Sequence, residues 1–243
     1  LWCWRIQSGD RANLVWKEFP FEPEKIDEPK EVLIQAIEAR KELLSGFKGN
    51  PKVDRQKWEE AIKPTSIAIS LSGEPCLYPK LSELIEESHK LGMKTFLVTN
   101  GTLPEVLEKL SLPWQLYITL PAPDEETYLK ACRPLIKDGW ERINKSLELF
   151  PSLDCRKVIR LTLVKGLNLK NPEKYADLIL KAEPDFIEAK SYMHVGESQK
   201  RLKKENMPSM EDIRIFAKRL AELIGYEYKD EDLASRVALL TRK

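Results

Sequence analysis

Short β-rich runs alternate with amphipathic helical stretches along most of this chain, and that alternation limits its fold more than any other feature. The runs fall at 66–71, 94–99, 115–120, 158–164, 185–192 and 235–240. Between them lie apolar stripes at helical spacing, such as Leu81, Leu84, Ile85 and Leu91, or Ile213, Phe216, Leu220, Leu223 and Ile224. Strand–helix units in tandem need parallel strands joined by right-handed crossovers. The pattern therefore predicts one curved, mainly parallel sheet with helices outside, either a barrel, a partial barrel or an open doubly wound sheet. Each of these places a site at the C-terminal ends of the strands. Local signals add detail. Pro29 leads a helix over 31–47, and Thr102 with Glu105 forms a capping-box pattern for a helix through Leu110. Asn171-Pro172 reads as a cap and first helical residue, Ser209 as the cap of the last long helix and Gly225 as its terminator.

With 243 residues, 42% of them hydrophobic, the chain can bury one large core, so a single domain over 1–243 is expected. Forty Lys plus Arg against 39 Asp plus Glu leave a net charge of +1. That balance excludes a uniformly basic nucleic-acid binder and leaves room for a local basic patch. No apolar run is long enough to span a membrane and no signal peptide is recognisable, so a cytoplasmic protein is expected. Cys3, Cys76, Cys132 and Cys155 are scattered, without disulfide-framework spacing. Phosphate-loop, dinucleotide-fingerprint, zinc-protease and serine-hydrolase motifs do not occur.

Each strand run ends in residues that packing does not require. Ser72-Gly73-Glu74-Pro75 follows the first. Glycine lets a ligand approach the backbone, and the Glu carboxylate can accept from an ammonium group; the plainer reading is an ordinary strand-to-helix turn. Thr99-Asn100-Gly101 ends the second run, and turn chemistry explains it equally well. Arg160 and Thr162 lie two apart on the fourth and so point the same way, while Thr119 ends the third. His194, beside Gly196 and Glu197, follows the fifth; it reads as a surface histidine or as a site residue. Lys200, Arg201, Lys203 and Lys204 form a run that is ordinarily a solvated face, yet it follows a strand-end loop closely enough to touch a polyanion.

These pieces together resemble the radical S-adenosylmethionine (SAM) superfamily. Trp2-Cys3 looks like the tail of its CxxxCxxC motif, and Ser72-Gly73-Glu74-Pro75 like its GGEP motif with Ser for the first Gly. Within the superfamily, Cys3-Trp4-Arg5, Ser70 to Pro75, Phe96 to Asn100, Arg133-Pro134-Leu135, Arg160 to Lys165, Pro184 to Glu188 and Gly196-Glu197-Ser198 are similar, in order, to blocks of the tRNA 4-demethylwyosine synthases. The resemblance implies a partial (β/α)6-type barrel and a [4Fe–4S] cluster that holds SAM, with Cys3 as one cluster ligand. It further implies SAM contacts from Ser72, Gly73, Glu74, Pro75, Thr99, Asn100, Thr119, Thr162 and His194. The radical SAM core is expected to start here inside the cluster-binding loop. Two more cluster cysteines, and a set for a second iron–sulfur cluster, are then expected before Leu1. The family often has an Asp after the third strand, where this chain has Thr119-Leu120-Pro121.

The implied activity builds a tricyclic base from N1-methylguanosine at position 37 of tRNA(Phe), with pyruvate supplying two carbons and a reducing donor supplying the electron. Arg5, Arg133, Lys200, Arg201, Lys203 and Lys204 are the expected tRNA contacts. Two alternatives stay open: a radical SAM enzyme acting on a small molecule or peptide, and a non-catalytic RNA-binding barrel.

Overall fold

A computed structural model describes residues 1–3, 25–71 and 73–243. Arg5 and Ser72, both expected at the site, lie outside the described residues. Five strands run parallel in sequence order: β1 (Ser66–Ile69), β2 (Lys94–Thr99), β3 (Gln115–Thr119), β4 (Arg156–Leu163) and β5 (Phe186–Ser191). Among the described residues, eight α-helices accompany them: α1 (Pro29–Ser45), α2 (Arg55–Ala61), α3 (Leu81–Lys90), α4 (Pro104–Leu107), α5 (Glu125–Cys132), α6 (Gly139–Leu149), α7 (Pro172–Ala182) and α8 (Met210–Ile224). The α/β architecture is the expected partial barrel, with strand-to-strand crossovers carried by helices.

The far edge departs from the expectation of a single closing strand. A charged segment, β6 (Glu227–Asp232), precedes β7 (Val237–Thr241), and the sheet order is β1-β2-β3-β4-β5-β7-β6. Both β5–β7 and β6–β7 pairings are antiparallel. The reason is geometric. The α8 crossover brings β6 in parallel to β5 but one position away, and the hairpin folds β7 back into the gap. Sequence periodicity missed β6 because Glu-Tyr-Lys-Asp-Glu-Asp carries almost no apolar alternation. Such charge is how an exposed sheet edge discourages pairing with another chain.

The two faces of the sheet differ in kind. On one, Leu97, Leu116, Ile118, Ile159, Leu161, Ile187, Ala189 and Leu240 are buried. They join one core cluster with Leu81 and Ile85 of α3, Ile143 and Leu147 of α6, Tyr175 and Ile179 of α7, and Ile213, Phe216 and Leu220 of α8. Each large side chain buried there contributes about 1.5–3 kcal/mol. The register puts the alternate residues on the other, inner face in rows: Phe96, Gln115 and Arg156; then Thr119, Arg160 and Glu188; then Thr162 and Lys190. At the N-terminal end of the strands this face is closed by Trp114. Lys94 lies 4.5 Å and Arg156 4.5 Å from its ring, and Phe96 packs edge-on at 5.1 Å.

Two caps behave as expected and two do not. Ser209 and Asp212 form a reciprocal capping box on α8, and Gly225 ends it with φ 71°. At α4 the capping box does not form. Asn100 Oδ1 accepts from both the Thr102 amide (2.9 Å) and its hydroxyl (2.6 Å), so Thr102 is drawn into an Asx turn and only one helical turn follows. Asn171 occupies the cap position of α7 with φ 50° and no side-chain cap bond, while Pro172 does open the helix.

The division of the sheet into an apolar and a polar face sets an expectation for stability. Ile159→Ala should destabilise the protein by about 2–5 kcal/mol through the cavity it leaves. Arg219→Ala, which removes an exposed ion pair to Glu173, should cost less than about 1 kcal/mol. Urea denaturation of both variants checks this; comparable losses would contradict the assignment of the core face.

Candidate functional site

The C-terminal ends of β1 to β5 converge on one mouth, and polar groups that must be satisfied hold its loops. After β1 the backbone turns sharply, with Leu71 at φ 91° and Gly73 at φ 80°. Leu71 is a bulky residue in the left-handed region, a conformation that costs about 1–3 kcal/mol and is concentrated at ligand sites. A Cβ on Gly73 would meet nothing within 4 Å, so backbone conformation, not crowding, is what requires glycine there.

Glu74 ties this turn to the end of β2. Its Oε1 accepts from the Thr99 hydroxyl at 2.6 Å and the Cys76 amide at 3.1 Å, and its Oε2 accepts from the Asn100 amide at 2.7 Å. The Thr99 hydroxyl also accepts from the Gly101 amide (3.1 Å) and the Cys76 thiol (3.5 Å), and Thr99 is 1% exposed. The direct ligand contact expected of the Thr99 side chain is thus taken up internally. Glu74 likewise spends most of its accepting capacity on the protein, acting as a strut between two strand-end loops. Asn100 is exposed, and its Oδ1 is committed to Thr102. Pro75 opens a 3-10 turn, Pro75–Leu77.

Thr119 and Thr162 are half-buried on the inner face, as is Lys190 beside Thr162. One row below, Arg160 Nε donates to Glu188 at 2.8 Å while its guanidinium lies 4.4 Å over the Tyr117 ring. Gln115 donates to the Tyr117 hydroxyl at 2.6 Å. Burial raises the Tyr117 hydroxyl above its ordinary range, the Glu188 charge adding and Arg160 opposing. The lower wall is therefore a neutralised pair against a protonated phenol. That Arg160 points the same way as Thr162 was legible in the sequence; its partners were not.

His194 sits in a directional hydrogen-bond chain. Ser198 Oγ donates its single proton to the Val195 carbonyl at 2.6 Å, so the 3.2 Å contact between Tyr192 and Ser198 requires the phenol to donate. The phenol then has only a lone pair to offer His194 Nδ1 at 2.9 Å. In the neutral imidazole the proton is accordingly on Nδ1, and Nε2 carries the lone pair. Tyr192 and Ser198 are buried, at 1% and 0% exposure, which makes an unmade bond there costly. Neither partner was identifiable from sequence, because the contacts depend on the 3-10 turn Gly196–Lys200 folding back. Asn168 was also missed. Fully buried, it donates to the Pro121 and Thr162 carbonyls at 2.8 Å each and accepts from the Val164 amide at 2.7 Å, locking the ends of β3 and β4 together.

The expected cations are not one surface. Arg201 turns inward: Nε donates to the Leu1 carbonyl at 3.1 Å and a terminal nitrogen donates to the Cys3 carbonyl. It is not presented as the phosphate contact expected of it. Lys200 pairs with Glu197 at 2.6 Å and Lys203 with Glu205 at 3.6 Å, while Lys204 is exposed. Arg133 is an exposed, left-handed C-cap of α5 (φ 49°). As for thiols, burial pushes Cys76 up to about 12, with the Glu74 charge adding, and Cys132 and Cys155 up to about 11. Cys3 is half-buried. Among the described residues no three His, Cys, Asp or Glu side chains gather as a metal site, and no helix is long and apolar enough to cross a membrane. A groove of about 860 Å³ runs along β1 between α1 and α2. It lies apart from the strand-end groups.

Residues 2–179 match the family model described as the radical SAM superfamily, and residues 181–242 the one described as wyosine base formation. The chain is 52% identical to the S-adenosyl-L-methionine-dependent tRNA 4-demethylwyosine synthase of Pyrococcus horikoshii, over 100% of this chain and 70% of that protein. It is 42% identical to the enzyme of the same name from Methanocaldococcus jannaschii, over 99% and 75%. A solved structure of TYW1 with a lysine-pyruvate adduct bound is similar, with a TM-score of 0.84 and 41% identity over 94% of this chain and 74% of that one. The crystal structure of an archaeal TYW1 gives 0.79 and 36% identity, over 99% and 75%.

Two expectations follow from the geometry of the mouth. Glu74→Gln replaces one acceptor by a donor facing other donors, and should cost roughly 1–3 kcal/mol of stability while exposing Cys76 to thiol reagents. Unchanged stability and labelling would show that Glu74 is no strut. For His194, nitrogen NMR of the neutral imidazole should report an unprotonated Nε2, and Tyr192→Phe should let the Nε2–H tautomer grow. An Nε2–H signal in the parent protein would contradict the relay direction.

Proposed function

The chain belongs to the radical SAM superfamily and, within it, to the tRNA 4-demethylwyosine synthases, and we propose that its strand-end mouth acts on N1-methylguanosine at position 37 of tRNA(Phe). It is a radical SAM enzyme that converts a methylguanosine base of tRNA, with pyruvate, into 4-demethylwyosine. One observation carries the assignment of that chemistry to this mouth. The segment matching the radical SAM superfamily ends at residue 179 and the one matching wyosine base formation begins at 181, both within α7, so β4 lies in the first and β5 in the second, and the two strands pair side by side. Arg160 and Glu188 join the two across the inner face.

The superfamily implies a [4Fe–4S] cluster with SAM; when bound, these supply the reducing electron and a radical able to remove hydrogen from an unactivated carbon. Cys3 is the residue proposed to hold cluster iron, from its place at the start of the radical SAM match, where Trp2-Cys3 resembles the tail of the superfamily's cysteine motif. A second iron–sulfur cluster and an external electron donor belong to the same reading. The turn at Gly73 to Pro75 offers backbone groups to SAM, with Glu74 fixing the turn. Thr119 and Thr162 supply hydroxyls from the inner face. His194 Nε2, a lone pair by the relay argument, suits the exocyclic amine of the base. The protein's contribution is positioning and exclusion of water around a reactive intermediate. Base 37 must leave the anticodon-loop stack to enter such a mouth. With overall charge near zero, the proposed tRNA contacts are local: Arg133, Lys200, Lys203 and Lys204.

Full-length protein, reconstituted anaerobically and supplied with SAM, reductant, pyruvate and tRNA(Phe) carrying N1-methylguanosine, should yield 4-demethylwyosine in nuclease digests analysed by mass spectrometry. Omitting pyruvate should abolish the product, and Cys3→Ala should abolish SAM cleavage. SAM cleavage without base conversion would favour a small-molecule or peptide substrate. Binding of tRNA with no SAM cleavage at all would favour a non-catalytic barrel.

A further inference from the structure

His194 is held by its backbone as well as by its ring. Its amide donates to Met207 Sδ at 3.5 Å, and its carbonyl accepts from Gln199 Nε2 at 2.9 Å. Tyr192, which accepts from Nδ1, donates its own amide to the Leu163 carbonyl at 2.8 Å, so the relay is anchored on the end of β4. The bond from the Tyr192 phenol to buried Ser198 then keeps the proton of the neutral ring on Nδ1. Among the described residues nothing bonds to Nε2. The carboxylates of the mouth, by contrast, are committed: Glu74 accepts three bonds, Glu188 pairs with Arg160 and Glu197 with Lys200. His194 Nε2 therefore offers a lone pair in a fixed orientation that no described donor occupies.

The product needs such a group. A third ring fused on guanine joins N1 and the exocyclic amine through the former N1-methyl carbon and one carbon of pyruvate, the second pyruvate carbon staying as a substituent. With N1 alkylated, the exocyclic amine carries the N–H groups on that edge. Its nitrogen is conjugated with the ring and is a weak nucleophile, so it attacks readily only as a base removes one of its protons. In the closing step the amine nitrogen bonds to the carbonyl carbon, the carbonyl π bond breaks and its oxygen takes up a proton. Water then leaves as the neighbouring CH2 gives up a proton to form the ring double bond. Closure is thus a net loss of one water, with no oxidant or reductant; where a lysine holds the same carbon as an imine, the lysine amine leaves instead. A positioned base contributes typically about 10²–10⁴-fold to a step of this kind.

We propose that His194 is the catalytic base of ring closure, its Nε2 taking a proton from the exocyclic amine, and that Tyr192 and Ser198 are positioning residues that keep that nitrogen unprotonated. The proposal rests on the reading that this mouth acts on N1-methylguanosine at position 37. The test uses full-length, cluster-loaded protein without SAM or reductant, so that no radical forms. It is given, in excess over RNA, an anticodon stem-loop of tRNA(Phe) that carries N1-(2-oxopropyl)guanosine at position 37. Loss of one water from that base, followed by mass spectrometry of nuclease digests, reads closure alone. The parent protein should close the ring about 100-fold or more faster than the RNA does by itself. His194→Asn, whose amide can still donate to Tyr192, should lose most of that acceleration. His194→Gly should lose it and regain part of it with added imidazole, a rescue that a merely structural role would not show. Tyr192→Phe should lose less, in step with the Nε2–H tautomer seen by nitrogen NMR. A parent no faster than free RNA overturns the proposal, as does His194→Asn at the parent's rate, or a His194→Gly that binds the stem-loop but is not rescued. Closure by the parent without conversion of N1-methylguanosine in the complete reaction would overturn the reading of the whole reaction, not the role of His194.

Discussion

Parallel neighbours cannot be joined by a tight turn, so each of the four parallel pairings from β1 to β5 obliges the chain to cross back over one face of the sheet. That obligation has two consequences. The helices that make the crossovers cover one face, which is where Leu97, Ile118, Ile159 and Leu161 find an apolar partner. The uncovered face is free to be polar, and it holds Gln115, Arg160, Thr162, Glu188 and Lys190 in register. Every strand then delivers its last residues to the same edge, so five loops distant in sequence share one mouth.

Those loops would be loose without internal partners, since a strand-end turn has few neighbours to pack against. The molecule solves this with buried hydrogen bonds. Glu74 links the turn after β1 to β2, Asn168 links β3 to β4, and Tyr192 with Ser198 braces the loop after β5. A buried polar group left without its partner costs about 1–3 kcal/mol, so each link is held firmly once made. Rigid loops are what a site needs if it is to present groups such as His194 Nε2 in a fixed orientation.

Charge is used in the same economical way. The side chains that sequence marks as basic are mostly paired or turned inward: Lys200 to Glu197, Lys203 to Glu205, Arg160 to Glu188, and Arg201 to backbone carbonyls. Little free positive charge remains in the Lys200 to Lys204 run.

Much of this was determined by the order of residues alone. Periodicity located five parallel strands to within about two residues, and the motif blocks from Cys3 to Ser198 identified the family whose relatives and fold the chain shares. Caps such as Ser209 and Gly225 were legible because their bonds are local, spanning three or four residues. What sequence could not decide were contacts whose partners lie far apart. The placement of β7 between β5 and β6 depended on a crossover, not on any residue within it. The commitment of Thr99 to Glu74, the pairing of Arg160 with Glu188, and the inward turn of Arg201 toward Cys3 each join residues 25 to 198 positions apart. A side chain's type states what it is able to bind, but only the folded chain determines which partner is within about 3 Å and whether water can compete for it.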